Sequence, residues 1–475
     1  MISKHTMNEG DRGADRPRGG LAGRPRGWRR ALGLALAAWC GATLATDNRI
    51  DAVRPDAPEL AAFGSSPVGV RTLRLVHPGQ MDILRAKPGE PTPVYDRPLT
   101  VEVWYPSLPH PAQPSRTADG LEPGQYRTVT RDPRLTVTLR GRALRDAAPA
   151  SQAGPYPLVI VSHGYPGNRY LLSPLAENLA SKGYVVASID HTDSTYSDQV
   201  TFASTLLNRP LDQLFVLDAM ARLNTGEPSD AAAGALKGMV RADTTALIGY
   251  SMGGYGVVNS VGGGFTAAST RLPMAPPNGV LARRQAGTPE YLATRDPRIK
   301  AAIAIAPWGW NAGFWDAAGL AGIRTPLLYI AGSLDDVSGY SPGVRNLFEA
   351  SVNAPRWLLT FENANHNAGA PMPAPAETWA RMPHMPTPAA MHYMDPVWDS
   401  VRMNNITQHF ATAFLGKHLR NDTAMDAYLN LVEHARDGRW STESNGAPKA
   451  DHTFWKGFQR RQAAALRWEF RPPAP

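Results

Sequence analysis

Short apolar runs alternate with helix-compatible stretches from residue 158 onwards, and this alternation constrains the fold more than any other feature of the sequence. Strands that are apolar along their whole length are buried on both faces, and parallel strands need crossover connections, which are usually helices. The pattern therefore predicts the α/β class, with a mostly parallel central sheet, helices on both faces and loop insertions. The predicted strands are 70–76, 99–105, 158–162, 184–189, 246–250, 301–305, 327–331 and 357–361, and the predicted helices are 171–182, 209–223, 253–261, 342–352 and 398–420.

Several segments depart from this alternation and are predicted to lie outside the regular sheet. Proline interrupts both helices and strands, so the proline-rich segments are expected to form loops. Residues 46–68 are expected to form an irregular N-terminal arm and residues 421–475 a C-terminal extension that closes over a main domain at 69–420. The insertions expected in that domain are 107–155, on the surface, and 262–298 and 367–396, near the functional site.

The first 45 residues have the pattern of an export signal. A basic stretch ends at Arg29-Arg30, and the apolar run 31–45 that follows is short for a bilayer span. We expect cleavage near Ala45, and the paired arginines are compatible with twin-arginine export. The mature protein is then expected to be periplasmic or secreted, with no stable membrane span. An uncleaved membrane anchor is the alternative.

Charge and cysteine content narrow the expected partners. The formal net charge is +8, but the first 45 residues contain eight basic and three acidic side chains, so little positive charge is left for the rest of the chain. A nucleic-acid partner is therefore not expected. Cys40 is the single cysteine and lies inside the predicted signal, which leaves the mature protein without a disulfide or a thiol nucleophile.

A Gly-x-Ser-x-Gly segment, Gly249 to Gly253, joins the predicted strand 246–250 to the predicted helix 253–261. A serine nucleophile is presented on such a strand–turn–helix bend, where glycines prevent collisions between neighbouring parts of the chain. Ser251 is therefore the candidate nucleophile. The alternative is a Gly-Ser turn in an ordinary loop.

A serine hydroxyl becomes a good nucleophile only when a base removes its proton and an acid orients that base. In this arrangement the acid and then the histidine follow the serine along the chain. Asp335 follows the strand 327–331 and is the candidate acid, with Asp336 as the fallback. His366 follows the strand 357–361 and is the candidate base. The alternatives are a solvated loop carboxylate or a helix cap for Asp336 and a surface loop histidine for His366.

The negative oxygen of an acyl-transfer intermediate needs hydrogen-bond donors that are already in place. The backbone N–H groups of Met252, beside the candidate nucleophile, and of Tyr165, in the turn after strand 158–162, are the candidates. The aromatic side chains Tyr165, Tyr250, Trp308 and Trp310 are candidate walls of a substrate pocket. Packing in the core is the alternative for the two tryptophans.

Metal ions and organic cofactors are not expected. The segment Asp190-His191-Thr192-Asp193 follows a strand without further ligands at a spacing that suits a metal, so a structural turn is the better interpretation. The sequence also contains neither a phosphate-binding loop nor a dinucleotide-binding glycine pattern.

These motifs resemble the dienelactone-hydrolase-like and platelet-activating-factor-acetylhydrolase-like branch of the α/β-hydrolases. The resemblance spans about residues 155–420, and its main segments are VIVSHGYPGNRY (159–170), IGYSMGGYG (248–256) and LLYIAGSLDDVSGY (327–340). It implies the α/β-hydrolase fold and the same three residues, Ser251, Asp335 and His366, as the catalytic triad. Members that open dienelactones often use a cysteine nucleophile, whereas this chain has serine.

The sequence therefore predicts a serine hydrolase that cleaves carboxylic esters through an acyl-enzyme intermediate. The expected substrate is a small-molecule or lipid-like ester. Two alternatives stay open, an amidase or peptidase with the same triad and a non-catalytic binding protein of the hydrolase fold.

Overall fold

The structure of the protein, a computed structural model, describes residues 47–109, 120–224 and 231–475. The predicted export signal at 1–45, with Arg29-Arg30 and Cys40, lies outside the described residues. Numbered in chain order, the described strands are β1 Asn48–Arg49, β2 Val68–Met81, β3 Val94–Pro106, β4 Gln125–Val129, β5 Thr136–Arg140, β6 Leu144–Arg145, β7 Tyr156–Ser162, β8 Val185–Asp190, β9 Val240–Tyr250, β10 Ile299–Ile305, β11 Leu327–Gly332, β12 Arg356–Phe361 and β13 Leu466–Arg471.

Helices follow most of the central strands, as the predicted alternation requires. The described α-helices are α1 Ser173–Ser181, α2 Phe202–Arg222, α3 Ala231–Gly234, α4 Met252–Ser260, α5 Pro289–Leu292, α6 Ala317–Leu320, α7 Arg345–Ala350 and α8 Ser400–Arg420. Short 3-10 helices occupy Glu59–Ala61, Ser151–Ala153, Ser269–Arg271, Pro277–Arg284, Ala376–Trp379, Ala389–His392, Thr423–Tyr428 and Ala435–Asp437, and a π-helical turn occupies Tyr340–Val344.

The main sheet of the described residues has ten strands in the order β13-β12-β11-β10-β9-β7-β8-β3-β2-β6. Strands β8, β7, β9, β10, β11 and β12 run parallel to their neighbours within this set. Strand β3 pairs antiparallel with β8, β2 with β3, and β13 with β12. The predicted α/β class with a mostly parallel sheet is therefore confirmed.

Two apolar cores lie on opposite faces of this sheet, because successive side chains of a strand point to opposite sides. In β7, Val159 and Val161 belong to the core that also contains side chains of α1 and α8. Leu158 and Ile160 belong to the core that contains side chains of α2, α4 and α7. The helices thus cover both faces, and the carboxyl ends of the parallel strands meet at one edge of the sheet.

Helix α2 begins at Phe202, seven residues before the start of the predicted helix 209–223. Proline is typical of the first turn of a helix, which is where the predicted helix placed Pro210. In the structure Pro210 instead lies in the interior of α2. Most of the side chains around it are buried, among them Leu206, Arg209 and Gln213. Tertiary packing therefore extends the helix across a residue that disfavours helix interiors.

Segments outside the predicted alternation also contribute to the sheets. The predicted surface insertion 107–155 contains β4, β5 and β6, and β4 and β5 join β1 in a second sheet of three strands. The predicted C-terminal extension 421–475 supplies β13, the edge strand beside β12. Within the described part of the chain, no helix is both long and apolar enough to cross a membrane.

Candidate active site

Ser251 lies on a sharp turn between β9 and α4, at the carboxyl end of a central strand. Its backbone has φ 53° and ψ −113°, a conformation that non-glycine residues rarely adopt. The turn is held at both ends, because Ser251 N–H donates to the carbonyl of Ile305 at 2.8 Å and Tyr255 N–H donates to the carbonyl of Ser251 at 2.9 Å.

The glycines on either side of Ser251 are required by close backbone contacts. A Cβ placed on Gly253 would lie 2.0 Å from the carbonyl oxygen of Ser162. A Cβ placed on Gly249 would lie 2.2 Å from the carbonyl oxygen of Gly253. Only residues without a side chain fit these two positions, so the Gly-x-Ser-x-Gly spacing is a direct consequence of the geometry of the turn.

Ser251, His366 and Asp335 form one chain of hydrogen bonds. Ser251 Oγ lies 2.9 Å from His366 Nε2, and His366 Nδ1 lies 3.0 Å and 3.1 Å from the two carboxylate oxygens of Asp335. The fallback residue Asp336 follows in the same loop and is exposed, and its backbone N–H donates to the Asn365 side chain at 3.0 Å. The structure therefore places Asp335, not Asp336, against the histidine.

The carboxylate of Asp335 is buried and receives backbone hydrogen bonds. Its Oδ1 accepts from the N–H groups of Val337 at 3.0 Å and Ser338 at 2.8 Å. These two donors fix the carboxylate so that it faces the imidazole, and they partly compensate its loss of solvent. The loop after β11 is thus shaped around this side chain.

The loop that carries His366 is held by four polar side chains outside the Ser251–His366–Asp335 chain. Asn365 accepts from His366 N–H at 2.6 Å, and its own N–H donates to Asp395 at 2.6 Å. Tyr250 donates to Asn367 at 2.7 Å, and burial raises the pKa of this tyrosine, which keeps its hydroxyl protonated as a donor. The histidine loop is therefore connected both to the turn beside Ser251 and to segment 367–396.

The two predicted oxyanion donors lie beside Ser251 on different elements. Met252 is the first residue of α4, so its N–H has no partner within the helix. Tyr165 follows Gly164 in the turn after β7. A Cβ placed on Gly164 would be 3.5 Å from Cβ of Ser251, which shows how closely this turn approaches the serine.

A cavity of about 400 Å³ opens in front of Ser251 and His366. Its wall consists of Tyr165, Tyr250, Ser251, Asp336, Val337, Asn365, His366, Asn367, Met391, His392, Met394 and Pro396. Met391, His392, Met394 and Pro396 belong to the predicted insertion 367–396, whereas no residue of the predicted insertion 262–298 lines the cavity. The methionines and prolines of segment 367–396 predicted a loop, but no motif in the sequence indicated which of its residues would face the site.

Of the predicted pocket walls, Tyr165 and Tyr250 line this cavity, and Trp308 and Trp310 do not. Trp308 packs in an aromatic cluster, with its ring centre 5.1 Å from that of Phe202 and 5.5 Å from that of Phe314. Trp310 packs against the same core. For both tryptophans the structure thus favours the packing alternative over the pocket prediction.

The side chains of segment 190–193 are engaged in internal contacts. Asp190 pairs with Arg169, and His191 Nδ1 donates to Asp212 at 2.9 Å. Asp193 accepts from Arg97 at 2.9 Å. These contacts agree with a structural turn. In the part of the chain that the structure describes, no group of three or more histidine, cysteine or acidic side chains is arranged to hold a metal ion.

Comparisons with known protein families and sequences show similarity to an acetylhydrolase family and to cutinases. Residues 134–213 match the family model for platelet-activating factor acetylhydrolase, isoform II. The chain is 27% identical over 216 residues to the cutinase est1 of Thermobifida alba, which covers 45% of this chain and 54% of the cutinase. It is 25% identical over 214 residues to the cutinase cut1 of Thermobifida fusca, with 45% and 50% coverage. The chain therefore spans about half the length of the curated relatives it matches.

Among solved structures, the fold is similar to that of a ferulic acid esterase from Streptomyces cinnamoneus. The TM-score is 0.52 at 23% sequence identity, and the match covers 78% of this chain and 96% of the esterase. The likeness agrees with the mixed sheet and helices described above. It leaves the dienelactone-hydrolase part of the expected resemblance a prediction. The chain therefore has the α/β-hydrolase fold.

Proposed function

We propose that this protein is a serine hydrolase that cleaves carboxylic esters through an acyl-enzyme intermediate, with Ser251, His366 and Asp335 as its triad. The observation that carries the proposal is the continuous hydrogen-bonded chain from Ser251 Oγ through the His366 ring to Asp335, next to a cavity of about 400 Å³. Similarity to cutinases, an acetylhydrolase family and a ferulic acid esterase supports an ester as the substrate.

In the first half of the proposed reaction, Ser251 Oγ attacks the ester carbonyl carbon while its proton passes to His366 Nε2. The electron pair of the carbonyl moves to its oxygen, where the N–H groups of Tyr165 and Met252 stabilise the negative charge. The carbonyl then re-forms, the C–O bond to the alcohol breaks, and the leaving alkoxide takes the proton from His366. An acyl group remains on Ser251.

In the second half, a water molecule attacks the acyl-enzyme. His366 removes a proton from the water, and the tetrahedral intermediate collapses to release the carboxylic acid and to return the proton to Ser251. Asp335 keeps Nδ1–H of the imidazole in place throughout, so that Nε2 is free to exchange protons. The buried position of Asp335 and its two backbone donors suit this fixed role.

The proposal is tested with the purified protein on a panel of nitrophenyl esters, beside Ser251→Ala. We expect the substitution to lower turnover at least about a thousandfold, because removing the nucleophile of a triad typically costs that much or more. A fluorophosphonate probe should label the wild type and leave Ser251→Ala unlabelled. A folded wild type that neither hydrolyses esters nor reacts with the probe would instead favour the non-catalytic binding protein.

The bond that is cleaved can be tested separately. Comparison of a short acyl nitrophenyl ester with the matching anilide distinguishes an esterase from an amidase or peptidase with the same triad. We expect turnover of the ester and little or none of the anilide. The reverse preference would overturn the ester assignment while leaving the triad intact.

We also propose that the protein acts outside the cytoplasm, in the periplasm or secreted. The support is the basic and apolar pattern of residues 1–45. Expression of the full chain followed by N-terminal sequencing of the exported form should show a new terminus near residue 46. A full-length chain that stays with the membrane would favour the uncleaved anchor.

A further inference from the structure

Helix α2 carries a buried guanidinium directly behind the turn that contains Tyr165. Arg209 is only 1% exposed, and no carboxylate of the described residues forms an ion pair with it. The nearest acid on the same helix, Asp212, is instead occupied by Arg97 and His191. A buried arginine without a paired carboxylate is costly, so its hydrogen bonds indicate what it does.

The guanidinium of Arg209 binds the backbone of the turn after β7. One terminal nitrogen donates to the carbonyl of His163, and the other donates to the carbonyl of Gly164 at 3.3 Å and to Ser194 Oγ at 2.8 Å. The two carbonyls are consecutive and immediately precede Tyr165. Arg209 therefore uses its forked donors to bind two adjacent peptide groups, a geometry for which arginine is better suited than lysine.

These hydrogen bonds set the direction of the N–H group of Tyr165. The carbonyl of Gly164 and the N–H of Tyr165 belong to the same planar trans peptide, so they point in opposite directions. A carbonyl held on the α2 side leaves the N–H pointing away from α2. His163 Nδ1 also donates to the Gly164 carbonyl, at 2.7 Å, which reinforces the same orientation.

We propose that Arg209 is a positioning residue, which orients the Gly164–Tyr165 peptide so that Tyr165 N–H can stabilise the oxyanion. This inference rests on the proposed function, because it assigns a task to Tyr165 in acyl transfer. Arg209 itself does not line the cavity and touches no substrate. Its effect reaches the reaction through the backbone of residues 163–165.

A second buried array holds the other side of the same turn. Ser162 Oγ lies 2.8 Å from His191 Nε2, and His191 Nδ1 donates to Asp212 at 2.9 Å. The order serine, histidine, aspartate repeats that of the active site, but all three side chains are buried and away from the cavity. His191 N–H donates to His163 Nε2 at 3.2 Å. This array thus holds the His163 ring in place through His191. It supports the orientation of the Gly164 carbonyl that Arg209 also stabilises.

The close packing of α2 against α4 brings Arg209 to the turn. A Cβ placed on Gly256 of α4 would lie 2.8 Å from Cγ of Arg209 and 2.6 Å from the Gln213 amide. One turn further along α2, Gln213 donates to the carbonyl of Gly253 at 3.1 Å. The same helix therefore binds the backbone of both turns that border Ser251.

The test compares folded Arg209→Met with the wild type in ester turnover. We expect kcat to fall roughly ten- to a hundredfold, while KM changes by no more than about twofold. This decrease in kcat is no larger than the one caused by removing an oxyanion donor itself. The rate of fluorophosphonate labelling should fall in parallel. Arg209→Lys, which keeps the charge but not the fork, should recover part of kcat.

A matched control is Arg284→Met, since Arg284 is also buried, at 3% exposure, and its terminal nitrogens have no hydrogen-bond partner among the described residues. We expect this variant to change stability and to leave kcat within about threefold of the wild type. Arg209→Met with an unchanged kcat, or with a loss entirely in KM, would overturn the inference. If Arg209→Met does not fold, a folded Arg209→Lys with wild-type kcat would overturn it instead.

The two levels of the proposal fail in different ways. A folded wild type without ester turnover removes the proposed function and, with it, the task assigned to Arg209. An active wild type, with Ser251→Ala inactive and Arg209→Met unimpaired, removes only the task of Arg209. Circular dichroism and urea unfolding establish which variants are folded before the kinetics are compared.

Discussion

The turn around Ser251 has almost no room for additional atoms. Gly253 faces the carbonyl of Ser162, a backbone atom of a central strand that cannot move aside without disturbing the sheet. A methyl group at this position therefore has to displace either β7 or the serine turn. The strain caused by such a methyl group would therefore act on the turn that places Ser251 against His366.

We therefore expect Gly253→Ala to impair activity strongly even where the protein still folds. The unfolding free energy should drop by several kcal/mol, as for overpacking against backbone, and kcat should fall by at least about a hundredfold. Gly446→Ala is the control, because a Cβ there meets no atom within 4 Å, although its positive φ makes the exchange mildly unfavourable. Urea unfolding and ester kinetics on the two variants measure both effects.

The acid of the proposed triad can be distinguished from its neighbour. Asp335→Asn removes the charge that orients His366 and should lower kcat about ten-thousandfold, because the imidazole is then held in the wrong tautomer. Asp336→Asn alters a wall of the cavity without touching His366 and should have a far smaller effect, mostly on KM. Equal losses of kcat in the two variants would contradict the assignment of Asp335.

At the scale of elements, β13 closes the sheet beside β12. Trp468 of β13 is buried and stacks on Phe410 of α8, with ring centres 4.5 Å apart. Its indole N–H donates to the carbonyl of Leu429 at 2.7 Å. Strand β13 thus covers one apolar core and pairs with the edge of β12, so that this edge cannot pair with a strand of another chain.

We expect Trp468→Ala to lower the unfolding free energy by about 3–5 kcal/mol, the range found for removing a buried aromatic side chain. Phe470 on the same strand is 44% exposed, and Phe470→Ala should cost much less, about 1 kcal/mol. The two values from urea unfolding are compared directly. A similar cost for both substitutions would show that β13 contributes little beyond its backbone hydrogen bonds.

At the scale of the whole molecule, several histidines are buried in a neutral state. Burial lowers the pKa of His191, His392 and His409 to about 3, and lowers that of His163 well below its usual value. The unfolded chain binds more protons at these sites between pH 3 and 6.5. The contribution of these residues to stability is therefore present above pH 6.5 and is lost as the pH falls through this window.

His409 is suited to test this because it is buried on α8 and does not line the cavity. Its Nδ1 accepts a hydrogen bond from Leu60 N–H at 3.2 Å, which a protonated ring could not do. His409→Asn keeps an acceptor there but cannot titrate. Relative to the wild type, its unfolding free energy should gain about 1.4 kcal/mol for each pH unit of acidification below 6.5. Urea unfolding at pH 7 and pH 4.5 measures the difference, and parallel curves would contradict it.

The central part of the fold could be predicted because its signals are local. A buried parallel strand is apolar along its length, as in β7 and β11, and a turn that needs glycine at two positions leaves its mark in the sequence, as around Ser251. Candidate triad residues could be chosen because each follows such a strand. The structure brings these three residues within hydrogen-bond distance of one another, and their catalytic roles stay proposals.

The sequence by itself determined where the central strands lie along the chain, the strained serine turn and the loops that carry Asp335 and His366, since short-range sterics and burial decide these. Only the tertiary structure decided that Met391 and His392 line the cavity while Trp308 packs away from it, that Arg209 binds the turn before Tyr165, and that β13 joins the sheet. Each of these depends on contacts between segments distant in the chain. Such contacts follow from how the surfaces of the folded elements fit together, and that fit has no short-range pattern in the sequence.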